Sequence, residues 1–320
     1  MEITITEFKE LYLPELYERF QSELQKSLAE NAQDIAVRLN RQVETFINFV
    51  SKYQQAVPVK VGEVQISLLY SSICMGEPQI CISAYGINKV LGDEILNIKY
   101  RCDWLFTAWK KYQRDIELKV EELHAEGYIR KPAIKKIMNE SVPFLIYCLY
   151  AVTKYQLMEF DKVGEFKELL LTDDFRVTVG GYRDWSRTVF HIREMIDIFL
   201  REENESLKFC VFNGVVYNKK KFIDLDLTHA RFYECEFVHC EFENVIFADS
   251  IFEKCRIYHC SFKNASFYGA SFRECTLKKN STQEVSWEYE VEEQVMEDIY
   301  KDVEFLECVN DGSIMTGENV

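Results

Sequence analysis

The feature that most constrains this chain is a five-residue period in its C-terminal third. Phenylalanine occupies positions 232, 237, 242, 247 and 252 of the stretch ARFYECEFVHCEFENVIFADSIFEKC, residues 230–255. Five residues advance an α-helix by about 500°, so large side chains at this spacing would spiral around a helix. An odd period also changes faces at every repeat of a flat β-strand. The pattern therefore requires a chain that turns a corner every five residues.

The same register continues in both directions. Large apolar residues hold it at twelve consecutive positions, Phe222, Leu227, Phe232, Phe237, Phe242, Phe247, Phe252, Ile257, Phe262, Phe267, Phe272 and Leu277. A small residue precedes each of the last ten by two positions. Four sides of five residues make one square coil, and coils stacked at the ~4.8 Å spacing of strands can join backbone to backbone. We predict one large and one small side chain inside each side of the coil.

This repeated sequence resembles the pentapeptide-repeat family. The loose consensus of that family is a small residue, then Asp or Asn, then Leu or Phe, and then two mostly polar residues. The segment NASFYGASF, residues 264–272, is close to it. The resemblance covers residues 222–277 and implies a right-handed quadrilateral β-helix with the large and small positions inward. Phe212 and Tyr217 are in phase and suggest a partial earlier coil. Lys220 breaks the small-residue column, so we place the first regular unit near Phe222.

We predict three regions along the chain. Residues 1–205 form an α+β domain that is mostly helical with a small sheet. Residues 206–280 form the β-helix, with about three to three and a half coils. Residues 281–320 form an acidic C-terminal helix and tail, because the apolar residues of 284–307 follow helical spacing. That helix is expected to cap the last coil, or to join two copies of the chain into a homodimer.

The N-terminal region contains clear helix and strand signals. Residues 34–54 predict an amphipathic helix with Asp34 as its N-cap. The segments EVQISLLYS and PQICISAYG predict a hairpin around MGEP. Two more helices follow, the second divided or kinked at Pro143. Finally FRVTVGGY predicts a strand and DWSRTVFHIREMIDIFL, residues 184–200, a helix.

Charge is concentrated at the C-terminal end. The chain has a net charge of −15, of which residues 278–320 carry −9 from 12 acidic residues against 3 lysines. Residues 222–277 carry −4 from 9 acidic against 5 basic residues. Because phosphate neutralisation by Lys and Arg supplies most affinity for nucleic acid, we expect no direct nucleic-acid binding. Lysines bracket the repeat in NKKKF and LKKN, and we interpret them as charge that protects the exposed ends of the stack.

The cysteines predict a reducing compartment. There are eleven, an odd number, in a long chain without an apparent export signal, so we expect reduced thiols and a cytoplasmic location. Cys235, Cys255 and Cys275 share one predicted column, and Cys240 and Cys260 another. His239 and His259 also stack, but they are expected on the polar side of the corner, so no zinc site is predicted. The apolar run VPFLIYCLYAV is too short to span a membrane.

A search for chemistry finds no phosphate-binding glycine loop, nucleophile elbow, HExxH or CxxC motif. We therefore assign no catalytic residue, no metal and no cofactor. His124 and His191 are interpreted as packing or surface residues on helices. The segment VGGYRDW offers a possible partner-binding turn at Tyr182, Arg183, Asp184 and Trp185, although a strand-to-helix turn with Asp184 as N-cap explains the same residues.

The favoured hypothesis is a non-catalytic interaction or scaffold protein. Its N-terminal domain would recognise another protein, and the β-helix would be a rigid spacer or second binding face. The resemblance implies an alternative, a DNA mimic that binds a type II topoisomerase, as some pentapeptide-repeat proteins protect gyrase. Three coils rise only ~10–15 Å, however, and basic residues interrupt their acidity. An enzyme or toxin site built from distant Asp, Glu and Tyr residues of the N-terminal domain is a further alternative.

Overall fold

The structure is a computed structural model that describes residues 3–75, 78–86, 93–191, 197–200, 206–287 and 303–311. Within these ranges the chain divides into two compact units. The first contains residues 3–172 and 177–189, and the second contains residues 173–176 and the described residues from 190 onward. No helix in the described ranges is both long and apolar enough to cross a bilayer.

The first unit is mainly helical. Its helices are α1 (Ile5–Leu11), α2 (Leu13–Glu30), α3 (Ala32–Ala56), α4 (Tyr70–Cys74), α5 (Asp103–Glu122), α6 (Lys131–Glu140) and α7 (Val142–Leu157). The amphipathic helix predicted over residues 34–54 is confirmed as α3. It begins earlier than predicted, at Ala32, and Asn31, not Asp34, is at the N-cap position.

Local sequence explains where these helices begin and end. Thr4 and Glu7 form a capping box at the start of α1, with the Glu7 N–H donating to Thr4 Oγ1 at 3.2 Å. Pro143 lies in the first turn of α7, where a missing N–H is tolerated, and the chain is divided there as predicted. At the junction Trp109 Nε1 donates to Ser141 Oγ at 2.9 Å, which fixes α5 against the start of α7.

A five-stranded sheet accompanies the helices. Its strands are β1 (Val61–Leu68), β2 (Gln79–Tyr85), β3 (Glu94–Arg101), β4 (Leu171–Gly181) and β5 (Ser186–His191), in the order β3-β2-β1-β4-β5. β2 pairs antiparallel with both β1 and β3. The predicted small sheet is confirmed. The connection between β1 and β2 is longer than the predicted short turn, because α4 lies within it.

The helix predicted over residues 184–200 is wrong for Ser186–His191, which is strand β5, and for Ile198–Leu200, which is a single 3-10 turn. The remainder of that segment, 192–196, lies outside the described residues. Gly181 N–H donates to Trp185 O at 3.0 Å, and this tight turn returns the chain beside β4. Pairing with an existing strand thus overrides the helical spacing of the apolar residues. His191 therefore lies on a strand, and His124 follows the end of α5.

The second unit is a stack of three-residue strands. Its first face contains β6 (Val211–Asn213), β9 (Arg231–Tyr233), β12 (Ile251–Glu253), β15 (Ser271–Arg273) and β18 (Glu304–Leu306). Its second face contains β7 (Val216–Asn218), β10 (Glu236–Val238), β13 (Arg256–Tyr258), β16 (Thr276–Lys278) and β19 (Val309–Asn310). Its third face contains β8 (Lys221–Ile223), β11 (Glu241–Glu243), β14 (Ser261–Lys263) and β17 (Ser281–Gln283). Single parallel bridges join Asp226, Ile246, Ser266 and Ser286 on the fourth side.

These four sides form a quadrilateral β-helix, which we call the rod, so this part of the predicted fold is confirmed. Neighbouring strands within each face are parallel, and from β6 to β17 the paired residues are separated by one coil of sequence, as in Phe232↔Phe252. The twelve large residues of the register are at most 3% exposed. Their rings stack along the rod, with the centroids of Phe242 and Phe262 4.7 Å apart. The interior is therefore filled by stacked apolar side chains along each face.

The corners of the rod require a left-handed backbone. Asp224, Asn244 and Asn264 have φ values of 53°, 56° and 50°, a conformation in which Asn and Asp are enriched. Asn244 Nδ2 donates to Asp224 Oδ1 at 2.8 Å, and Asn264 Nδ2 donates to Asn244 Oδ1 at 2.8 Å. This ladder of side chains stabilises one corner from coil to coil.

The coils of the rod extend beyond the span Phe222–Leu277 at both ends, and they include the partial earlier coil suggested by Phe212 and Tyr217. The rod begins before Phe222, because β6 and β7 pair in register with β9 and β10. Lys220 fits there because its side chain is exposed and its Nζ lies 4.9 Å from the centroid of the Phe199 ring. After Leu277 the register continues through Thr282, opposite Phe262, to Trp287, whose ring stacks on Phe267 at 5.2 Å.

The helix predicted from residues 284–307 is wrong at its start, because Ser286 forms a parallel bridge with Ser266 in the rod. Residues 288–302 lie outside the described residues. Residues 304–306, which the prediction also included, form strand β18 instead, because Phe305 fills the next inward position above Phe272. Packing of Phe305 inside the coil thus favours a strand at these residues, although the apolar residues around them have helical spacing.

Candidate functional site

The outward charges of the rod form pairs between neighbouring coils. Lys221 Nζ lies 2.6 Å from Glu241 Oε2 on the third face. On the same face Lys263 Nζ lies 2.7 Å from Glu243 Oε1. On this face each pair thus places a positive and a negative charge side by side on neighbouring coils. Mixed charge of this kind is unlike the continuous negative charge of a nucleic-acid backbone.

A different corner of the rod carries a row of basic and titratable side chains. Lys219, His239, His259 and Lys279 succeed one another at intervals of one coil, all four are exposed or partly exposed, and all have positive φ. The His239 and His259 rings stack with centroids 4.8 Å apart. We call these four residues the basic ridge. The two lysine clusters that bracket the repeat in sequence therefore lie at the ends of one ridge.

The cysteines of the repeat point into the rod. Cys210, Cys235, Cys240, Cys255, Cys260 and Cys275 are at most 2% exposed, and each is a free thiol. Hydrogen bonds with Cys235 and Cys275, together with burial, raise the pKa of Cys255. A hydrogen bond with Cys240 and burial likewise raise the pKa of Cys260. Such thiols fill space and bond to carbonyl oxygens of the neighbouring coil, as Cys255 does to Phe232 O at 3.2 Å.

Metal ligands do not converge in the described ranges. No group of three or more His, Cys, Asp or Glu side chains there is arranged to hold a metal ion. His239 retains exposed surface at the corner, whereas the adjacent Cys240 is buried. Neighbouring histidine and cysteine side chains thus point to opposite sides of the coil wall, and the donors of each pair diverge.

The predicted partner-binding turn is the tip of the β4–β5 hairpin. Asp184 does not cap a helix; its Oδ1 accepts from the Trp185 N–H at 2.8 Å within the turn. A Cβ at Gly180 would lie 2.2 Å from Trp185 O, so glycine is required there. Tyr182 Oη donates to Glu94 Oε2 at 3.0 Å. The turn is therefore held in one conformation by several independent contacts.

An aromatic patch lies beside this turn. The Arg187 guanidinium carbon is 5.2 Å from the centroid of Tyr150, 5.7 Å from that of Tyr147 and 5.9 Å from that of Trp185. Trp185 is 41% exposed and Arg187 is also exposed. We call these four residues the aromatic patch. It combines a rigid hairpin with the side chains that most often dominate protein interfaces.

A buried polar network occupies another part of the same sheet. Tyr85 Oη donates to Glu94 Oε2 at 3.4 Å, as Tyr182 does from the hairpin. Thr178 Oγ1 donates to Glu63 Oε1 at 2.6 Å. Burial, with the nearby Glu94 charge, raises the pKa of Tyr85 to about 12, and burial also raises the pKa of Tyr182. Both phenols therefore remain hydrogen-bond donors at neutral pH, which suits a structural network.

The stacked coils, the inward large and small columns and the left-handed corners together settle the nature of the second unit. The C-terminal region is a pentapeptide-repeat β-helix. A family model described as the SV2A/B/C luminal domain matches residues 190–283. No curated protein matches the chain.

Several solved structures resemble part of the chain. Full-length QnrB1, described as a plasmid-mediated fluoroquinolone resistance protein, is similar at 15% identity and a TM-score of 0.29 over 37% of this chain and 55% of its own. A pentapeptide repeat protein from the Arabidopsis thaliana thylakoid lumen is similar at 12% identity and a TM-score of 0.23. The match covers 34% of this chain and 66% of that protein. Rfr23, a pentapeptide repeat protein from the cyanobacterium Cyanothece 51142, is similar at 12% identity and a TM-score of 0.20. The match covers 33% of this chain and 89% of Rfr23. The chain thus spans about half the length of QnrB1.

Sequence reasoning missed two parts of these surfaces. Arg187 was assigned to a helix, so its contact with Tyr147 and Tyr150 could not be foreseen. The basic ridge could have been predicted from the sequence, because Lys219 lies one coil before His239 and Lys279 lies one coil after His259. Extending the histidine column to the flanking lysines identifies the ridge from sequence.

Proposed function

We propose that this protein is a non-catalytic interaction protein whose N-terminal domain recognises another protein through the aromatic patch. The observation that carries the proposal is the exposed Trp185 beside Arg187 on a fixed hairpin. Trp, Tyr and Arg are the residues that contribute most to binding energy at interfaces. A turn that is already ordered before binding also reduces the conformational entropy lost on association.

The rod supplies a rigid body with a second binding face. Its interior aromatic stacks and coil-to-coil hydrogen bonds leave its side chains at fixed spacings. The basic ridge presents four such side chains in a row, with a lysine at each end. An acidic surface of a partner protein fits this face. The recognition and spacer roles thus belong to different parts of the chain.

The test is affinity capture from the native cell lysate with the full chain and two variants. Trp185→Ala removes the exposed anchor of the patch. Phe49→Ala is the control, because Phe49 lies elsewhere on the first unit and its side chain is similarly exposed, at 49%. We expect a stoichiometric partner with the wild type and the Phe49→Ala variant, and its loss with Trp185→Ala.

Two further results distinguish the roles of the patch and the rod. A partner lost with Lys219→Glu and Lys279→Glu, but retained with Trp185→Ala, would move recognition to the basic ridge. Capture of no partner by the wild-type protein would count against an interaction function and favour a search for catalysis around Glu94 and Tyr85.

A further inference from the structure

A cavity in the first unit is lined by α4, α5 and α6. Its volume is about 450 Å³, within the range of small-molecule sites. The apolar part of its lining comes from Ile73, Trp109, Ile134 and Met138, each at most 6% exposed. Because Trp109 Nε1 is already bonded to Ser141, the indole ring presents only its apolar surface to the cavity.

Lysines surround this apolar floor. Lys110, Lys131 and Lys135 line the cavity, and none of the three forms an ion pair with any described residue. The one acidic side chain of the lining, Glu117, accepts a hydrogen bond from Gln113 Nε2 at 2.9 Å. Three positive charges therefore surround a cavity whose lining contains one negative charge, and none of the three lysines is paired with it.

The placement of two of these lysines is unfavourable without a ligand. Lys131 is the first residue of α6, and Lys135 lies one turn later on the same side of the helix. The first turn of α6 contains no acidic residue. The N-terminal end of a helix carries partial positive charge, so lysine there is repelled and an anion is attracted. A bound anion would relieve this repulsion.

A second cavity of the same unit provides a contrast. It has a volume of about 430 Å³ and is lined by Lys9, Tyr17, Tyr112 and Glu140, among others. Here the lysine is neutralised, because Lys9 Nζ lies 2.6 Å from Glu140 Oε2. The two cavities are thus similar in volume but differ in charge. Of the two, only the first combines an apolar floor with lysines that form no ion pair with a described residue.

We propose that the cavity between α5 and α6 binds a small amphipathic organic anion. The apolar body of the ligand lies on Trp109, Ile134 and Met138. Its anionic group, a carboxylate, sulfonate or phosphate, lies between Lys131 and Lys135. This site shares no residue with the aromatic patch, so binding at one can be tested without disturbing the other.

The test uses three probes with the full chain. 8-Anilinonaphthalene-1-sulfonate has both the apolar body and the anion, N-phenyl-1-naphthylamine has the apolar body alone, and inorganic sulfate has the anion alone. Calorimetric titration measures the affinity for each. We expect one site per chain for the first probe, weakened as salt rises, and much weaker binding of the other two.

Matched variants on one helix locate the site. Lys135→Met removes a cavity cation, whereas Lys136→Met removes an exposed lysine that does not line the cavity. We expect Lys135→Met to weaken the sulfonate probe about tenfold, the loss of one charged hydrogen-bond partner, and Lys136→Met to leave it unchanged. Equal effects of the two variants, no effect of Lys135→Met, equally tight binding of the neutral probe, or no binding at all would each overturn the proposal.

Discussion

Phe305 stacks on Phe272 with ring centroids 5.0 Å apart and ring planes 8° apart, although more than one coil of sequence separates the two. The other stacked rings of this column, from Phe212 to Phe272, follow one another at intervals of a single coil. The described residues up to Trp287 and from Val303 onward therefore share one inward register. The connection between Phe272 and Phe305 exceeds one coil by the length of the segment 289–301.

Removing this excess should preserve the rod. Deletion of the segment 289–301 places Phe305 one coil after Phe272, so the same stack can form without the long connection. We expect the melting temperature of the deletion variant to remain within a few degrees of the wild type. Replacing Phe305 with Ala in the same background should lower it. A deletion variant that unfolds far below the wild type would show that the connection itself stabilises the rod.

Phe252 should be among the most destabilising positions of the rod. Its ring stacks on Phe232 and Phe272 at 4.7 Å each, and it is 2% exposed. Phe252→Ala should lower the free energy of unfolding by about 3–5 kcal/mol through lost burial and a new cavity. Ile223→Ala is the control, because Ile223 on the outward side of β8 is 49% exposed. Equal denaturation midpoints for both variants would contradict the inward register.

The repeat cysteines should differ in their reactivity. Cys308 is only partly buried at the last coil, whereas Cys235, Cys255 and Cys275 of the same column are at most 1% exposed. Thiol alkylation of the native protein, followed by peptide mass spectrometry, should therefore modify Cys308 much faster than Cys255. Denatured protein should show equal rates for both. Modification of Cys255 in the native state as fast as Cys308 would mean that the interior of the rod is open to solvent.

Tyr85 should make the first unit sensitive to alkali. Burial beside Glu94 raises the pKa of its phenol to about 12, against roughly 10 for an exposed tyrosine. The neutral phenol stabilises the folded state fully below about pH 10, and this contribution is lost as the pH rises toward 12. Urea midpoints from pH 8 upward should fall more steeply for the wild type than for Tyr85→Phe. Parallel declines would contradict the assigned burial.

The rod was predictable because its physics is local and repetitive. Every inward position from Phe222 to Leu277 can be read from a period that neither a helix nor a flat strand can use. Its ends were harder, because Lys220 and Thr282 depart from the repeat where fewer neighbouring coils constrain them. A repeat pattern therefore predicts the middle of such a stack better than its limits.

The candidate sites of the first unit depend on contacts between distant segments. Arg187 lies among Tyr147, Tyr150 and Trp185 only because residues 186–191 form a strand, whereas their apolar spacing suggested a helix. Tyr85 meets Glu94 and Tyr182 through a sheet that joins three separate stretches of sequence. Local sequence patterns do not predict contacts between distant segments. The turn at Tyr182–Trp185 was therefore predicted from the sequence, but the residues that pack against it were not.

Site-specific photo-crosslinking in the native cell tests the central claim most directly. A photoreactive phenylalanine analogue is placed at Trp185, at the exposed Phe49 or at Tyr258 on the second face of the rod, and adducts are identified by mass spectrometry. The proposed function predicts one abundant protein adduct from position 185, weaker or none from position 258, and none from position 49. No adduct at 185 together with a strong adduct at 258 would contradict recognition by the aromatic patch.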